Sequence, residues 1–151
     1  MMQKVDYTID NAVIEDASMI ALLEIESFST PWSENQIKEE ILKNNCIFLT
    51  AKYDNKVLGY ISGQIILDEF YISNIAVKED YRKNGIAYSL LTELLSRLCA
   101  GNCIFATLEV RQSNIAAQKL YEKCGFECLG IRKGFYTKPS ENALIYTYYF
   151  N

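Results

Sequence analysis

The stretch NIAVKEDYRKNGIAYSLLTELLSRL, residues 74–98, decides the fold of this 151-residue chain. Residues 69–77 are rich in β-branched and aromatic side chains, which predicts a strand, and the polar segment 78–81 ends it. A helix then begins at Gly85, because the apolar residues that follow recur at helical spacing, at Ala87, Leu90, Leu91, Leu94 and Leu98. A strand that leads through a short polar turn into an amphipathic helix is typical of an α/β protein.

The turn between this strand and this helix has the features of an anion site. Backbone N–H groups at the start of a helix lack helical partners and lie at the positive end of the helix dipole, which suits a pyrophosphate. Gly85 lets the backbone approach a ligand, and Arg82 and Lys83 add positive charge. An ordinary strand-to-helix turn with solvated basic residues fits the same segment. The turn matches neither a Walker sequence nor the Gly-x-Gly-x-x-Gly fingerprint, which disfavours nucleotide hydrolysis and hydride transfer.

The remaining elements follow from periodicity and turn chemistry. Asp54-Asn55 is a two-residue hairpin signal, and Ser33 with Gln36 forms a capping box. Gly125 ends the last helix, which Ser113 or Asn114 can cap. Further helices are predicted at residues 15–28, 33–43 and 115–123, strands at residues 4–9, 46–53, 56–67, 103–110, 126–135 and 143–150, and a short loop at residues 137–142.

The predicted element order is β-α-α-β-β-β-α-β-α-β-β. This order predicts an α/β fold, α+β by some schemes, in which four helices flank a mixed central sheet of about seven strands. A chain of this length can bury one core and is too short for two ordinary domains, so we expect a single domain over residues 1–151.

Composition excludes several classes of protein. The 15 basic and 19 acidic residues give a formal net charge of -4 without long blocks of one sign, so we expect no nucleic-acid surface. The sequence has no apolar run long enough for a membrane span and no signal-peptide core, so we expect a soluble, cytoplasmic protein. The five scattered cysteines fit reduced thiols better than disulfides, and the oligomeric state is open.

The absence of histidine restricts the chemistry further. Serine or cysteine nucleophiles that depend on a histidine base, and metal sites built on imidazole, are excluded. No Cys-x-x-Cys pair is present either, and we expect no metal. Catalysis must therefore use a carboxylate, tyrosine, lysine, cysteine or the backbone.

Several motifs resemble those of the GNAT superfamily of N-acetyltransferases, whose signature loop is Arg/Gln-x-x-Gly-x-Gly/Ala. Arg82, Gly85 and Ala87 occupy its three defined positions. The segments TPWS, NIAV, LEVRQSN and LYEKCGF are similar to the RimI branch, the ribosomal-protein alanine N-acetyltransferases; they lie at residues 30–33, 74–77, 108–114 and 120–126.

The resemblance implies roles for particular residues. It implies Glu109 as proton acceptor and Tyr121 as proton donor, and it makes Trp32 and Tyr136 candidate walls of the acceptor site. It also implies an acetyl-CoA site formed by Ile75, Ala76, Val77, Arg82, Lys83, Asn84, Gly85, Ile86, Ala87, Tyr88 and Asn114. Taken singly, a glutamate on a strand or a tyrosine on a helix is more often structural.

The chemistry of amine acetylation explains why a base and an acid are needed. An α-amine has an unperturbed pKa near 8, so most of it is protonated at neutral pH and cannot attack a thioester until a base takes the proton. The departing thiolate then needs a proton, which a phenol can donate. This route has no covalent enzyme intermediate, in agreement with the missing histidine.

Three functions remain open at this point. The resemblance favours acetylation of a protein N-terminus, with the N-terminal alanine of the eighteenth small-subunit ribosomal protein as the implied acceptor. A lysine side chain or a small-molecule amine is the second possibility, because loops of this kind look alike across these acceptors. The third is a domain that binds acetyl-CoA without chemistry, which the presence of both Glu109 and Tyr121 disfavours.

Overall fold

The computed structural model describes residues 5–151 and confirms the predicted α/β architecture. The strands are β1 (Thr8–Asn11), β2 (Cys46–Tyr53), β3 (Lys56–Ile66), β4 (Glu69–Val77), β5 (Phe105–Arg111), β6 (Glu127–Thr137) and β7 (Ser140–Tyr149). The helices are α1 (Ala17–Ser27), α2 (Glu34–Leu42), α3 (Ile86–Ala100) and α4 (Ile115–Lys123), with short 3-10 turns at Ile14–Asp16 and Glu79–Tyr81. The first strand was predicted over residues 4–9, but it covers Thr8–Asn11 and residues 5–7 do not belong to it; residue 4 lies outside the described part of the chain.

Local sequence signals account for several of these boundaries. Asp54 and Asn55 both have positive φ, 52° and 62°, as a two-residue hairpin between β2 and β3 requires. The capping box is also confirmed, because Ser33 Oγ accepts a hydrogen bond from the Gln36 N–H at 3.1 Å and Gln36 Oε1 accepts one from the Ser33 N–H at 2.8 Å. Gly125 follows α4 with φ of 98°, the left-handed conformation that ends many helices.

The strands form one sheet in the order β1-β2-β3-β4-β5-β7-β6. Every neighbouring pair is antiparallel except β4 and β5, which run parallel. The strand β7 lies between β5 and β6, so the chain doubles back after α4 before it closes the sheet.

The parallel junction between β4 and β5 is short. The two strands pair only from Glu69 opposite Phe105 to Tyr71 opposite Thr107, although β4 stays paired with β3 as far as Val77 and β5 with β7 as far as Arg111. Ser73 is an extra residue in β4 relative to β3, and such a bulge bends a strand. Residues 72–77 of β4 and 108–111 of β5 therefore separate, and we call the space between them the β4–β5 gap.

Each face of the sheet carries its own apolar core. One core contains Leu90, Leu91 and Leu94 of α3 and Tyr121 of α4. The other contains Ile20 and Leu23 of α1 and Ile37 of α2, packed on Phe48 and Tyr60 of the sheet. Helix pairs thus cover the sheet on both sides, as its alternating buried strands require.

The predicted loop near the end of the chain is also wrong. Residues 137–142 were expected to form a loop, but β6 and β7 stay paired to Thr137 opposite Ser140, which leaves Lys138 and Pro139 as a tight connection. Anchoring of this connection to the end of β5 explains the difference, as the next section describes. Between residues 5 and 151, no helix combines the length and the apolar character that crossing a bilayer requires.

Candidate active site

The loop between β4 and α3 presents free backbone around Gly85. Gly85 has φ of 77° and Lys83 has φ of 65°, so both residues turn the chain through the left-handed region. No atom lies within 4 Å of the position that a Cβ on Gly85 would occupy, so this surface is open. The first backbone bond into α3 runs from the Ser89 N–H to the Gly85 carbonyl, which leaves the N–H groups of the preceding turn available to an anion.

Side chains within the loop hold it to the end of β4. Arg82 Nε donates to the Val77 carbonyl at 3.0 Å, and Asn84 Nδ2 donates to the Tyr81 carbonyl at 3.1 Å. The Lys83 side chain is exposed, and Tyr88 on the first turns of α3 lies 4.6 Å below the Lys123 ammonium of α4. The predicted positive charge thus lies beside the predicted pyrophosphate position.

The β4–β5 gap extends this site along the sheet. Ile75, Ala76 and Val77 lie on its β4 side, where the edge of the strand has no pairing with another described strand. Across the gap Asn114 caps α4, because its Oδ1 accepts a hydrogen bond from the Ala117 N–H at 3.1 Å. Unpaired strand backbone suits the amide groups of an extended ligand, so these residues fit a molecule with a pyrophosphate at one end and amides along its length.

Glu109 approaches the gap from the α1–α2 face of the sheet. Leu108 and Val110 are buried in the α3–α4 core, and the pleat therefore directs Glu109 to the opposite face. Its side chain is 32% exposed, and its nearest cation is Arg132, with Nε 3.7 Å from Oε1. A carboxylate that is open to solvent and only loosely paired can accept a proton from a ligand or a water.

Tyr121 approaches from the other face. The residue is 5% exposed and packs against Phe126 and Tyr146, with ring centroids 5.9 and 6.0 Å away. Burial raises the pKa of its phenol, with smaller contributions from Tyr136 and Cys124. The hydroxyl makes no hydrogen bond to any residue between 5 and 151. Because its pKa is raised, the Tyr121 phenol is protonated at neutral pH and has a proton to donate.

Tyr136 interacts electrostatically with both of these groups. Burial raises the pKa of the Tyr136 phenol, and the Glu109 carboxylate raises it further, while Tyr136 in turn raises the pKa of Tyr121. The three side chains are thus within electrostatic reach of one another. The structure brings together two residues predicted for catalysis and one predicted for the acceptor site.

Arg111 anchors the hairpin that carries Tyr136. Its guanidinium donates to the Pro139 carbonyl at 2.9 Å and to the Lys138 carbonyl at 3.0 Å, lies 3.2 Å from Glu141 and covers the Tyr136 ring at 4.2 Å. Sequence reasoning did not identify this role. The available signal was the period of two along β5, which places Arg111 on the same face as Glu109.

Trp32 lies on the same face of the sheet, after α1. Its side chain is half-buried against the α1–α2 core, and its backbone N–H donates to Glu24 Oε1 at 2.8 Å. Among the described residues, neither a hydrogen bond nor an aromatic contact joins Trp32 to Tyr136 or to Glu109. The two predicted walls of the acceptor site are therefore separate elements of the fold.

Metal ligands do not gather in the part of the chain that the structure covers. Among residues 5–151, no three His, Cys, Asp or Glu side chains come together in a way that suits a metal ion. The candidate site is thus built from backbone, two helix ends, a carboxylate and phenols.

Comparisons with known proteins identify relatives of this chain. Residues 14–126 match the acetyltransferase (GNAT) family. The chain is similar to the [ribosomal protein bS18]-alanine N-acetyltransferase of Haemophilus ducreyi, with 35% identity across 93% of this chain and 99% of that protein. It is also similar to the protein of that name from Haemophilus influenzae, with 36% identity across 90% and 95%. The crystal structure of the ribosomal-protein-S18-alanine N-acetyltransferase from Escherichia coli superposes with a TM-score of 0.89 at 30% identity, covering 97% and 95%.

Proposed function

The chain belongs to the acetyltransferase (GNAT) family, in which acetyl-CoA is the acetyl donor, and from this premise we propose that it acetylates the N-terminal alanine of ribosomal protein bS18. The relatives that carry this name match the chain over nearly its full length. The observation that supports the proposal most directly is the position of Glu109 on β5 at the β4–β5 gap, with Tyr121 of α4 buried in the core on the opposite face of the sheet.

We assign the donor site to the gap and the loop that follows it. The N–H groups around Gly85, together with the charges of Arg82 and Lys83, bind the pyrophosphate. The backbone of Ile75, Ala76 and Val77 binds the amides of the pantetheine arm. The remaining members of the site lie where the loop leads into α3 and at the N-cap of α4: Asn84, Ile86, Ala87, Tyr88 and Asn114.

We assign the base to Glu109. Its carboxylate takes a proton from the acceptor ammonium, directly or through a water, and the free amine nitrogen attacks the thioester carbonyl carbon. A new C–N bond forms as the carbonyl becomes an oxyanion, which backbone N–H groups at the β4 edge stabilise. The C–S bond then breaks, the nitrogen loses its second proton to solvent, and the neutral amide is left on the acceptor.

We assign the acid to Tyr121. The sulfur leaves as a thiolate, and the phenol donates its proton to it, so coenzyme A departs as the thiol. Burial keeps the phenol protonated until that step, because it raises the pKa of Tyr121. The phenolate then recovers a proton from solvent and Glu109 releases to solvent the proton that it took, which completes the cycle without a covalent bond to the enzyme.

Rates on three acceptors test the proposed acceptor class. An Ala-initiated peptide with the bS18 N-terminal sequence is compared with its N-blocked form carrying an internal lysine, and with a polyamine. We expect acetylation of the free N-terminus, because a lysine amine, with an unperturbed pKa near 10.4, demands more of the base than an α-amine does. Activity confined to the blocked peptide or the polyamine would move the function to lysine or small-amine acetylation.

Two variants test the assigned catalytic roles. Glu109→Gln and Tyr121→Phe should each lower kcat by about 10² to 10⁴, with the Kd of acetyl-CoA nearly unchanged. Glu127→Gln on β6 and Tyr53→Phe at the end of β2 are matched controls, since both side chains are exposed. Unchanged turnover in the Glu109 or Tyr121 variant would remove that residue from the mechanism. We place the reaction in the cytoplasm, where the five free cysteines remain reduced.

A further inference from the structure

Glu24 is a carboxylate enclosed in the core between α1 and the sheet. Its exposure is 0%, and its neighbours in that core include Ile20, Leu23 and Tyr60. Burial raises the pKa of Glu24, and three hydrogen bonds act against this rise. A buried carboxylate is costly to the fold unless donors surround it, so its surroundings show what it holds in place.

Three donors from three separate elements converge on this carboxylate. The Trp32 backbone N–H donates at 2.8 Å from the segment after α1, the Tyr60 hydroxyl donates from β3, and Asn74 Nδ2 donates at 3.1 Å from β4. The hydrogen bonds that the Glu24 carboxylate accepts therefore join these three elements. No solvent reaches it, so it is not placed to touch an acceptor directly.

The Trp32 contact matters because the segment around it has few other ties. We call residues 28–33 the Trp32 loop. Ser29, Thr30 and Pro31 are exposed, and within the described chain the Trp32 N–H to Glu24 bond is the one hydrogen bond that joins residues 29–32 to the rest of the protein. Removal of the Glu24 acceptor would leave residues 29–32 held by side-chain packing and by the hydrogen-bonded ends of the loop at Phe28 and Ser33.

Asn74, another hydrogen-bond partner of Glu24, lies on the side of the site assigned to acetyl-CoA. Asn74 immediately precedes Ile75, Ala76 and Val77, and it follows the bulge at Ser73 that opens the β4–β5 gap. One carboxylate thus spans from the strand assigned to acetyl-CoA to the loop assigned to the acceptor. We propose that Glu24 is a positioning residue, which sets the Trp32 wall of the acceptor site at a fixed distance from β4.

This proposal rests on the proposed function for the role of Trp32, and the sequence supplies a probe for each part. Trp32 is the only tryptophan in the chain, so fluorescence excited at wavelengths that tyrosine does not absorb reports on the Trp32 loop alone. The variants are Glu24→Met, which fills the site without an acceptor, and Glu24→Gln, whose amide oxygen still accepts a bond from Trp32. Glu26→Met and Glu26→Gln are the matched controls, because Glu26 lies exposed on the same helix.

We expect Glu24→Met to red-shift the Trp32 emission and to raise the KM for the acceptor peptide about tenfold, as the loss of one bond to a buried charged group implies. The KM for acetyl-CoA should stay within about twofold, and Glu24→Gln and both Glu26 variants should resemble the wild type in all three measurements. If Glu24→Met leaves both the Trp32 emission and the KM for the acceptor peptide unchanged, the proposal is wrong.

Hydrogen exchange of the wild-type protein provides a test that does not depend on a variant that folds. The Trp32 amide should be protected relative to those of Ser29 and Thr30. Exchange of Trp32 as fast as its neighbours would also overturn the assignment. If the wild-type enzyme acetylates no peptide, the proposed function fails, whereas fluorescence and exchange still decide whether Glu24 anchors the loop.

Discussion

Replacement of Arg111 by methionine should loosen the hairpin that carries Tyr136. Methionine keeps most of the apolar stem but removes the guanidinium, which bonds two backbone carbonyls, pairs with Glu141 and stacks on the Tyr136 ring. Hydrogen bonds to a charged group contribute about 1.5 to 3 kcal/mol each, and a cation–π contact about 0.5 to 1 kcal/mol at an exposed site. The side chain is 25% exposed and the turn is open to water, so these contributions are partly screened.

We therefore expect Arg111→Met to lower the free energy of unfolding by about 2 kcal/mol, or the Tm by roughly 4 to 8 °C for a chain of this size. The KM for the acceptor peptide should rise about tenfold, because Tyr136 loses the ring contact that fixes it. Arg111→Lys should recover little of either loss, since an ammonium has no planar fork for two carbonyls.

Urea unfolding and steady-state kinetics measure these two effects. Arg97→Met is the matched control: Arg97 donates to Glu93 and Asn11 on the surface, where such pairs contribute about 0 to 1 kcal/mol. If Arg111→Met matches the wild type in stability and in acceptor KM, Arg111 does not position Tyr136 and the argument from the hairpin contacts is wrong.

Three further predictions follow from single residues. Gly85→Ala should lower stability by about 1 kcal/mol, because residue 85 has a left-handed backbone, and it should also raise the KM for acetyl-CoA. Gly134, with φ of 65° and equally open surroundings, is the control: Gly134→Ala should lower stability by the same amount but leave the KM for acetyl-CoA unchanged. Because burial raises the pKa of Tyr121 above its ordinary value, the ratio of wild-type to Tyr121→Phe kcat should be constant between about pH 7 and about pH 9.5; a falling ratio would contradict this. Because the pKa of Glu24 is raised in the folded protein, protonated Glu24 stabilises the fold at pH values below its ordinary pKa of 4.5. This stabilisation is lost as the pH rises through the raised pKa. Urea titrations from about pH 4 to about pH 7 should therefore show Glu24→Gln gaining stability relative to the wild type, and a constant difference would refute the assignment.

Elements fixed by local interactions were predictable from the sequence. The Ser33 capping box, the Asp54-Asn55 hairpin and the helix stop at Gly125 are each set by residues a few positions apart, and all three are present. The order of elements, and with it the position of Gly85 at the start of α3, followed from the same signals.

Features that depend on distant residues were not predictable in this way. The β4–β5 gap depends on a register shift opposite β3, and no local pattern marks Ser73 as the extra residue. The connection at residues 138–139 is short because Arg111, far away in sequence, binds its carbonyls. Glu24 has the spacing of a buried helix position, four residues after Ile20, but its charge predicts a surface position unless the three donors are known.

The bulge at Ser73 also bears on how such an enzyme changes over evolution. The groove that results is shaped by main-chain geometry, since the bulge bends β4 and the pairing of β4 with β5 ends at Tyr71 opposite Thr107. In the site proposed above, substitutions at the Trp32 loop or on the β6–β7 hairpin are therefore expected to alter which amine is admitted while the opening itself persists. Under the assignments proposed above, backbone path defines the donor slot and side chains define the acceptor walls, so such a scaffold can exchange one acceptor for another without having to rebuild its chemistry.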